Sequence, residues 1–322
     1  LHVRSRRQRQ MCIRDSIKGI TFSPFSPKGS LSSKEAKNSL RNLIEGTGAN
    51  YIVLVPNALQ ETPQSEEIDF TSDATVSDKE LISMINHIHK EGLHVFLKPT
   101  VNCKNGTWRA HINFFDEDVP CEPKWSNWFA SYTEFQLHFA EIAEKTKCEI
   151  FSPGCEMVMP QRRSAEWRQL IAEIRKVYHG MITYNTDKYQ EHNVDWWDCV
   201  DAISSSGYYP PDRWEQELDR IEAVVKKFDK PFFFAECGCM STHGSSKAPN
   251  DWTVRGEVDL DEQKNWYVSM FEACRKRPWI QGFCLWDWAG KQYPLDKAAS
   301  HRGYDIYGKP AQDIVKANYK SL

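Results

Sequence analysis

Two glutamates stand where apolar runs give way to loops, Glu156 in FSPGCEM and Glu236 in FFFAECGC, 80 residues apart. One carboxyl at such a position is most often structural or solvated, but two that can be brought together have a specific use. Breaking a glycosidic bond needs a proton on the departing oxygen and a nucleophile or water on the other face of the anomeric carbon, and a carboxyl pair supplies both. When the two lie close, the charge of one raises the pKa of the other and keeps it protonated near neutral pH. Forming a glycosyl ester then removes that charge and turns the acid into a base. All of this depends on a scaffold that makes positions 156 and 236 meet.

From Ile17 onward, short runs rich in β-branched and aromatic residues alternate with segments of helical period. The strand-like runs are IKGITF (17–22), YIVLVP (51–56), HVFLKP (94–99), EIFSPG (149–154), MITYN (181–185), AISSSG (202–207), PFFFAE (231–236) and IQGFCLW (280–286). Between them, Ser32 with Glu35 and Ser77 with Glu80 read as capping boxes that open helices, the first ending near 46–48 and the second at Glu91. Further helices are predicted over 125–145, 164–178, 214–228 and 261–275 and after Pro310, with a short piece at 196–199. A loop over 100–123 is long enough to be functional. Eight strands alternating with helices, each crossover right-handed, predict a single-domain (β/α)8 TIM barrel over residues 17–322. In a closed barrel the fourth and seventh strands face each other across the mouth, and catalytic groups belong at the C-terminal strand ends, which is where both glutamates fall.

The first sixteen residues do not belong to that pattern. RRQRQMCIRDS (6–16) translates codons that resemble a transposon-end adapter from sequencing-library preparation, so residues 1–16 are set aside as non-native. The full chain of 322 residues has a formal charge of −3; the remaining 306 have −7 and nine cysteines. This mild acidity argues against a nucleic-acid partner, and no run is apolar enough to span a membrane. An odd number of cysteines, several of them in predicted strands or helices, favours a cytoplasmic enzyme. Secretion stays open as the alternative, because such a scar implies lost upstream residues and Cys103 with Cys121 could pair on export. A monomer or weak homodimer is expected. The mechanism requires no metal or other cofactor: His87 and His89 are two apart on a helix and do not share a face, and Cys237, Cys239 and His243 fall short of a zinc set.

The chain resembles glycoside hydrolase family 113. The resemblance is carried by SDKEL (77–81), LKPTV (97–101), TWRAHI (107–112), WFASYTEFQLHFAEIAE (128–144), GCEM (154–157), WRQLIAEIRKVYHG (167–180), GYYP (207–210), KPFFFAECG (230–238) and PWIQGFCLWDW (278–288). It implies a clan A barrel acting on oligosaccharide or polysaccharide, chiefly as a retaining β-1,4-mannanase, with Glu156 as acid/base and Glu236 as nucleophile. It also implies that Trp286 is an aromatic platform under the sugar, the alternative being a core tryptophan, and that Tyr208 or Tyr209 holds the nucleophile. Asn102, Trp108, Arg109 and Asn185 are candidate hydroxyl-binding groups at the cleft. One departure stands out: many clan members place Asn before the acid/base, where this chain has Cys155, and a thiol is a poor hydrogen-bond donor. Another retaining β-glycosidase (xylan, glucan or galactoside) and a catalytically idle glycan-binding barrel are therefore kept as alternatives.

Overall fold

The computed structural model describes residues 16–322; the adapter-like segment, Ser16 apart, lies outside the described residues. The strands are β1 (Ile17–Phe22), β2 (Tyr51–Leu54), β3 (Asn57–Gln60), β4 (His94–Leu97), β5 (Thr100–Cys103), β6 (Ile150–Phe151), β7 (Met181–Ile182), β8 (Asn185–Thr186), β9 (Ile203–Ser206), β10 (Phe232–Cys237) and β11 (Ile280–Trp288). The helices are α1 (Lys34–Thr47), α2 (Asp78–Lys90), α3 (Trp125–Thr146), α4 (Ser164–Val177), α5 (Trp214–Phe228), α6 (Leu260–Arg275) and α7 (Pro310–Ser321). No helix among the described residues is long and apolar enough to cross a membrane.

One all-parallel ladder runs β7-β6-β4-β2-β1-β11-β10-β9-β8. Its two ends, β7 and β8, are halves of a single fifth barrel strand interrupted at residues 183–184, so the ladder closes on itself as a (β/α)8 barrel. Thr183 bridges the interruption: its N–H donates to Phe151 O (3.0 Å) and its hydroxyl to Ala202 O (2.9 Å), one neighbour on each side. The fourth barrel strand is β6, the seventh β10 and the eighth β11. Alternation along the strands sorts the core into two layers. Ile17, Val53, Phe96, Ile150, Met181, Phe233 and Cys284 fill the barrel interior. Ile20, Ile52, Leu97, Phe151, Ile182, Phe232 and Phe283 face the helices.

Two local readings differ from the structure. The first helix is capped by Ser33, whose hydroxyl accepts from Ala36 N–H (3.0 Å), rather than by Ser32; consecutive serines leave the choice to the chain's entry angle. The segment from Thr100 is not all loop, because β5 pairs with β3 in a small second sheet and Arg109–His111 form a 3-10 turn. Both strands are four residues long and partly polar, too short to register as a period. The Ser77–Glu80 box forms as expected, each side chain engaging the other residue's backbone N–H.

Most of the tryptophans are structural. Trp125, Trp128, Trp167, Trp196, Trp197, Trp214, Trp266 and Trp288 are fully buried, Trp167 stacking on Trp196 at 4.9 Å. The nine described cysteines are all free thiols, Cys103 and Cys121 among them.

Candidate active site

Glu156 follows β6 with a left-handed backbone (φ 54°), a conformation a β-carbon makes costly, and its N–H is fixed to Asn185 O at 2.7 Å on the fifth strand. Glu236 lies within β10, where Phe234 and Glu236 pair with the adjacent residues Ser205 and Ser206 of β9. The extra residue is a bulge. It breaks the alternation and aims Glu236 at the mouth instead of the helix layer that Phe234 faces.

The two carboxyls meet. One oxygen of Glu156, one of Glu236 and the Cys155 sulfur lie within 4.8 Å of one another. Glu236 accepts at both oxygens: from the Lys98 ammonium at Oε1 (2.7 Å) and from the Tyr208 hydroxyl at Oε2 (3.1 Å). Glu156 accepts from Ser206 at Oε1 (2.8 Å) and from Arg109 at Oε2 (3.2 Å). Burial and then the negative charge of Glu236 push the Glu156 carboxyl up, against the pull of Arg109 and Ser206. Lys98 is wholly buried. Burial works to discharge it, but the anionic groups around it, Cys155 when ionised and Glu236, outweigh burial and raise its pKa. Burial drives the Cys155 thiol up to about 12, so a neutral thiol stands beside Glu236, 3.7 Å from Oε1. The Cys155, Glu156 and Glu236 trio has ligand-type atoms at metal-site spacing, but Lys98 and Arg109 already occupy those carboxylates and supply the positive charge a cation would bring.

Around the pair opens a cleft of about 880 Å³ that also takes in Asn102, Trp108, Arg109, Tyr208 and Trp286, near the upper end for small-molecule sites. Trp286 lies against Phe25 with ring centroids 5.7 Å apart. Arg109 is an orienting group, its Nε donating to Cys155 O (2.7 Å) and its Nη1 to Asn102 Oδ1 (2.9 Å). Asn102 in turn donates to Asn57 (2.8 Å), so both are engaged within the protein.

Two expected residues are placed elsewhere. Tyr209 is not at the cleft: it is buried, its hydroxyl donates to Glu191 (3.2 Å) and its ring meets Trp214 edge-on at 5.0 Å. Neighbours in an extended segment point to opposite sides, so only Tyr208 reaches the mouth. Asn185 is not a rim residue either. It is buried behind the pair, accepting from Lys98 (2.8 Å) and donating to Ser206 (3.1 Å), which ties the partners of the two glutamates together. Sequence reasoning missed Lys98 and Ser206, as well as Asp187, Lys188 and Tyr304 of the cleft wall. A lysine inside the otherwise apolar run VFLKP was a usable signal for the first; nothing marked the others.

Residues 20–309 match the profile of Glycoside Hydrolase Family 113. Among solved structures, a family 113 β-1,4-mannanase is 53% identical with a TM-score of 0.95, over 96% of this chain and 100% of that one. The family 113 β-mannanase of Alicyclobacillus acidocaldarius, in complex with ManMIm, is 42% identical with a TM-score of 0.92, over 95% and 98%. A β-D-glucuronidase of Dictyoglomus thermophilum shares the fold alone, at 14% identity and a TM-score of 0.63, over 96% of this chain and 51% of that one. None of the curated proteins matches the chain in sequence. With a carboxyl pair at the mouth of a closed (β/α)8 barrel and a profile match over nearly its whole length, the chain belongs to glycoside hydrolase family 113.

Proposed function

We propose that the protein is a retaining β-1,4-mannanase in which Glu236 is the nucleophile and Glu156 the acid/base. The observation that carries this is the approach of the two carboxyls to within 4.8 Å. Retention by double displacement places the groups about 5–5.5 Å apart, whereas inversion leaves room for a water at roughly 6.5–9.5 Å. Solved relatives described as a β-1,4-mannanase (53% identical) and a β-mannanase (42% identical) support mannan over xylan, glucan or galactoside. An intact, paired acid and nucleophile argues against an idle barrel.

In the first step a Glu236 oxygen bonds to the anomeric carbon as the glycosidic bond breaks, and Glu156 gives its proton to the departing oxygen. In the second, Glu156 takes a proton from water, the water oxygen bonds to the anomeric carbon, and the ester to Glu236 breaks. Esterification of Glu236 removes the charge that helps hold Glu156 protonated, so the acid of the first step is ready as the base of the second. Lys98 and Tyr208 hold Glu236 in line, and the indole of Trp286 offers an apolar face to the C–H side of the sugar. Proton NMR of the first-formed product of mannotetraose is expected to show the β anomer before mutarotation. A product that starts as α would exclude the double displacement.

A further inference from the structure

Asp187 and Lys188 follow β8 and line the same cleft as the glutamates. Both are largely enclosed, Asp187 at 7% exposure and the Lys188 side chain at 13%. Their charged groups face each other at 3.7 Å, too far for a hydrogen bond. Among the described residues the Lys188 ammonium has no hydrogen-bond partner, its other neighbour being the face of the Tyr189 ring 5.7 Å away. The backbone N–H of Lys188 acts on the Asp187 carboxyl. Neither head group is sealed off: both open onto the cleft, where solvent satisfies them until a ligand takes its place. An acceptor and a donor side by side on a cleft wall suit adjacent hydroxyls of a polyol.

Their position says which sugar would use them. Displacement runs in line from the nucleophile through the anomeric carbon to the departing oxygen, so the leaving sugar lies beyond the acid. The end of the fifth strand flanks that acid directly, since Asn185 O accepts the Glu156 N–H and Asp187 is two residues further on. Burial and then the charge of Glu156 push the Asp187 carboxyl up, which fits a place on the acid's flank.

Building on the glycosidase reading above, we infer that Asp187 and Lys188 form the binding site for the leaving-group sugar, gripping two neighbouring hydroxyls of the mannosyl unit that Glu156 releases. The pair sets specificity and positions the substrate; neither residue takes part in bond breaking.

The test compares two substrates for the purified protein and its Asp187→Ala, Asp187→Asn and Lys188→Met variants: mannotetraose, whose leaving group is a sugar, and 4-nitrophenyl β-mannotrioside cleaved at the nitrophenyl bond, whose leaving group is not. The ratio of kcat/KM for the first over the second is expected to fall about tenfold or more in Asp187→Ala and Lys188→Met, and less in Asp187→Asn. Lys188→Met removes no hydrogen bond of the free protein, so it reads the subsite even if Asp187→Ala disturbs the loop. A ratio within twofold of wild type in both variants, including the case where both substrates lose activity together, overturns the inference and leaves the pair a structural one. A wild type that cleaves neither substrate overturns the mannanase reading itself.

Discussion

The division of labour proposed for the carboxyls rests on what each one touches. Glu236 has an ammonium and a phenol donating to it and Glu156 has burial and a neighbouring charge raising its pKa, so substitutions at the two positions should fail differently. Glu236→Ala is expected to be inactive, and azide to restore turnover of an activated aryl mannoside with an α-mannosyl azide as product, because the small anion enters from the vacated side. Glu156→Gln should lose about 10²–10⁴-fold on manno-oligosaccharides, the usual size of general-acid help, and far less on a dinitrophenyl mannoside that needs no proton. Steady-state rates on both substrates with NMR of the azide product check this; equal losses on both substrates would remove Glu156 from the acid role. The pair was legible in the sequence because each glutamate ends an apolar run. Its supports were less so. Asn185 was noticed, but its position behind the site depends on the closure of the fifth strand, and Ser206 looks like any strand serine until Glu156 is placed next to it.

Among the elements, alternation of β and α runs gave the barrel, yet three features that shape the mouth have no period to detect. The bulge at Glu236 is one added residue, the fifth strand is broken in the middle, and the β3–β5 ladder is made of two short, partly polar strands. The seam between β1 and β11 is equally silent in sequence and tightly specified in structure. Gly282 sits opposite Ile17 at φ 143°, and a β-carbon there would lie 2.0 Å from Ile17 O and 2.6 Å from its N. No side chain can give way, because the obstacle is backbone. Gly282→Ala is therefore expected to cost about 3 kcal/mol or more, overpacking and backbone strain together. Gly92→Ala serves as the control: its φ of 78° is also left-handed but nothing lies within 4 Å, so about 1–2 kcal/mol is expected. Urea denaturation of both variants decides the matter, and equal losses would mean that the seam tolerates the methyl group.

Across the whole molecule, the mouth concentrates buried acid, and this gives stability a pH dependence of definite sign. Glu156, Asp187, Asp287 and Asp305 all have burial as the first cause of a raised pKa, Asp187 and Asp287 each reaching about 7. Between the ordinary carboxylate range near 4 and those raised values, the folded chain keeps protons that the unfolded chain has released. The associated stability is fully present below the unfolded pKa and is lost as pH rises through the folded one. Groups shifted the other way act in different windows. His301, lowered to about 4 by burial and Lys309, contributes a rise with pH that ends near 6.5, and Lys309, lowered to about 8 by burial, acts above that value. Carboxylates lowered by their partners, such as Asp69 and Asp259, matter only in acid. Across pH 6.5 to 7.5 only the tails of these opposing contributions remain, and the buried carboxyls dominate. A single pKa unit is worth about 1.4 kcal/mol, so the unfolding free energy should fall by on the order of 1 kcal/mol across that interval. Urea titrations at the two pH values measure it. Asp187→Asn, which cannot ionise, is expected to reduce the slope by about half, Asp287 keeping the rest, and an unfolding free energy that rises over this interval in the wild type would mean that these carboxyls are already ionised in the folded state.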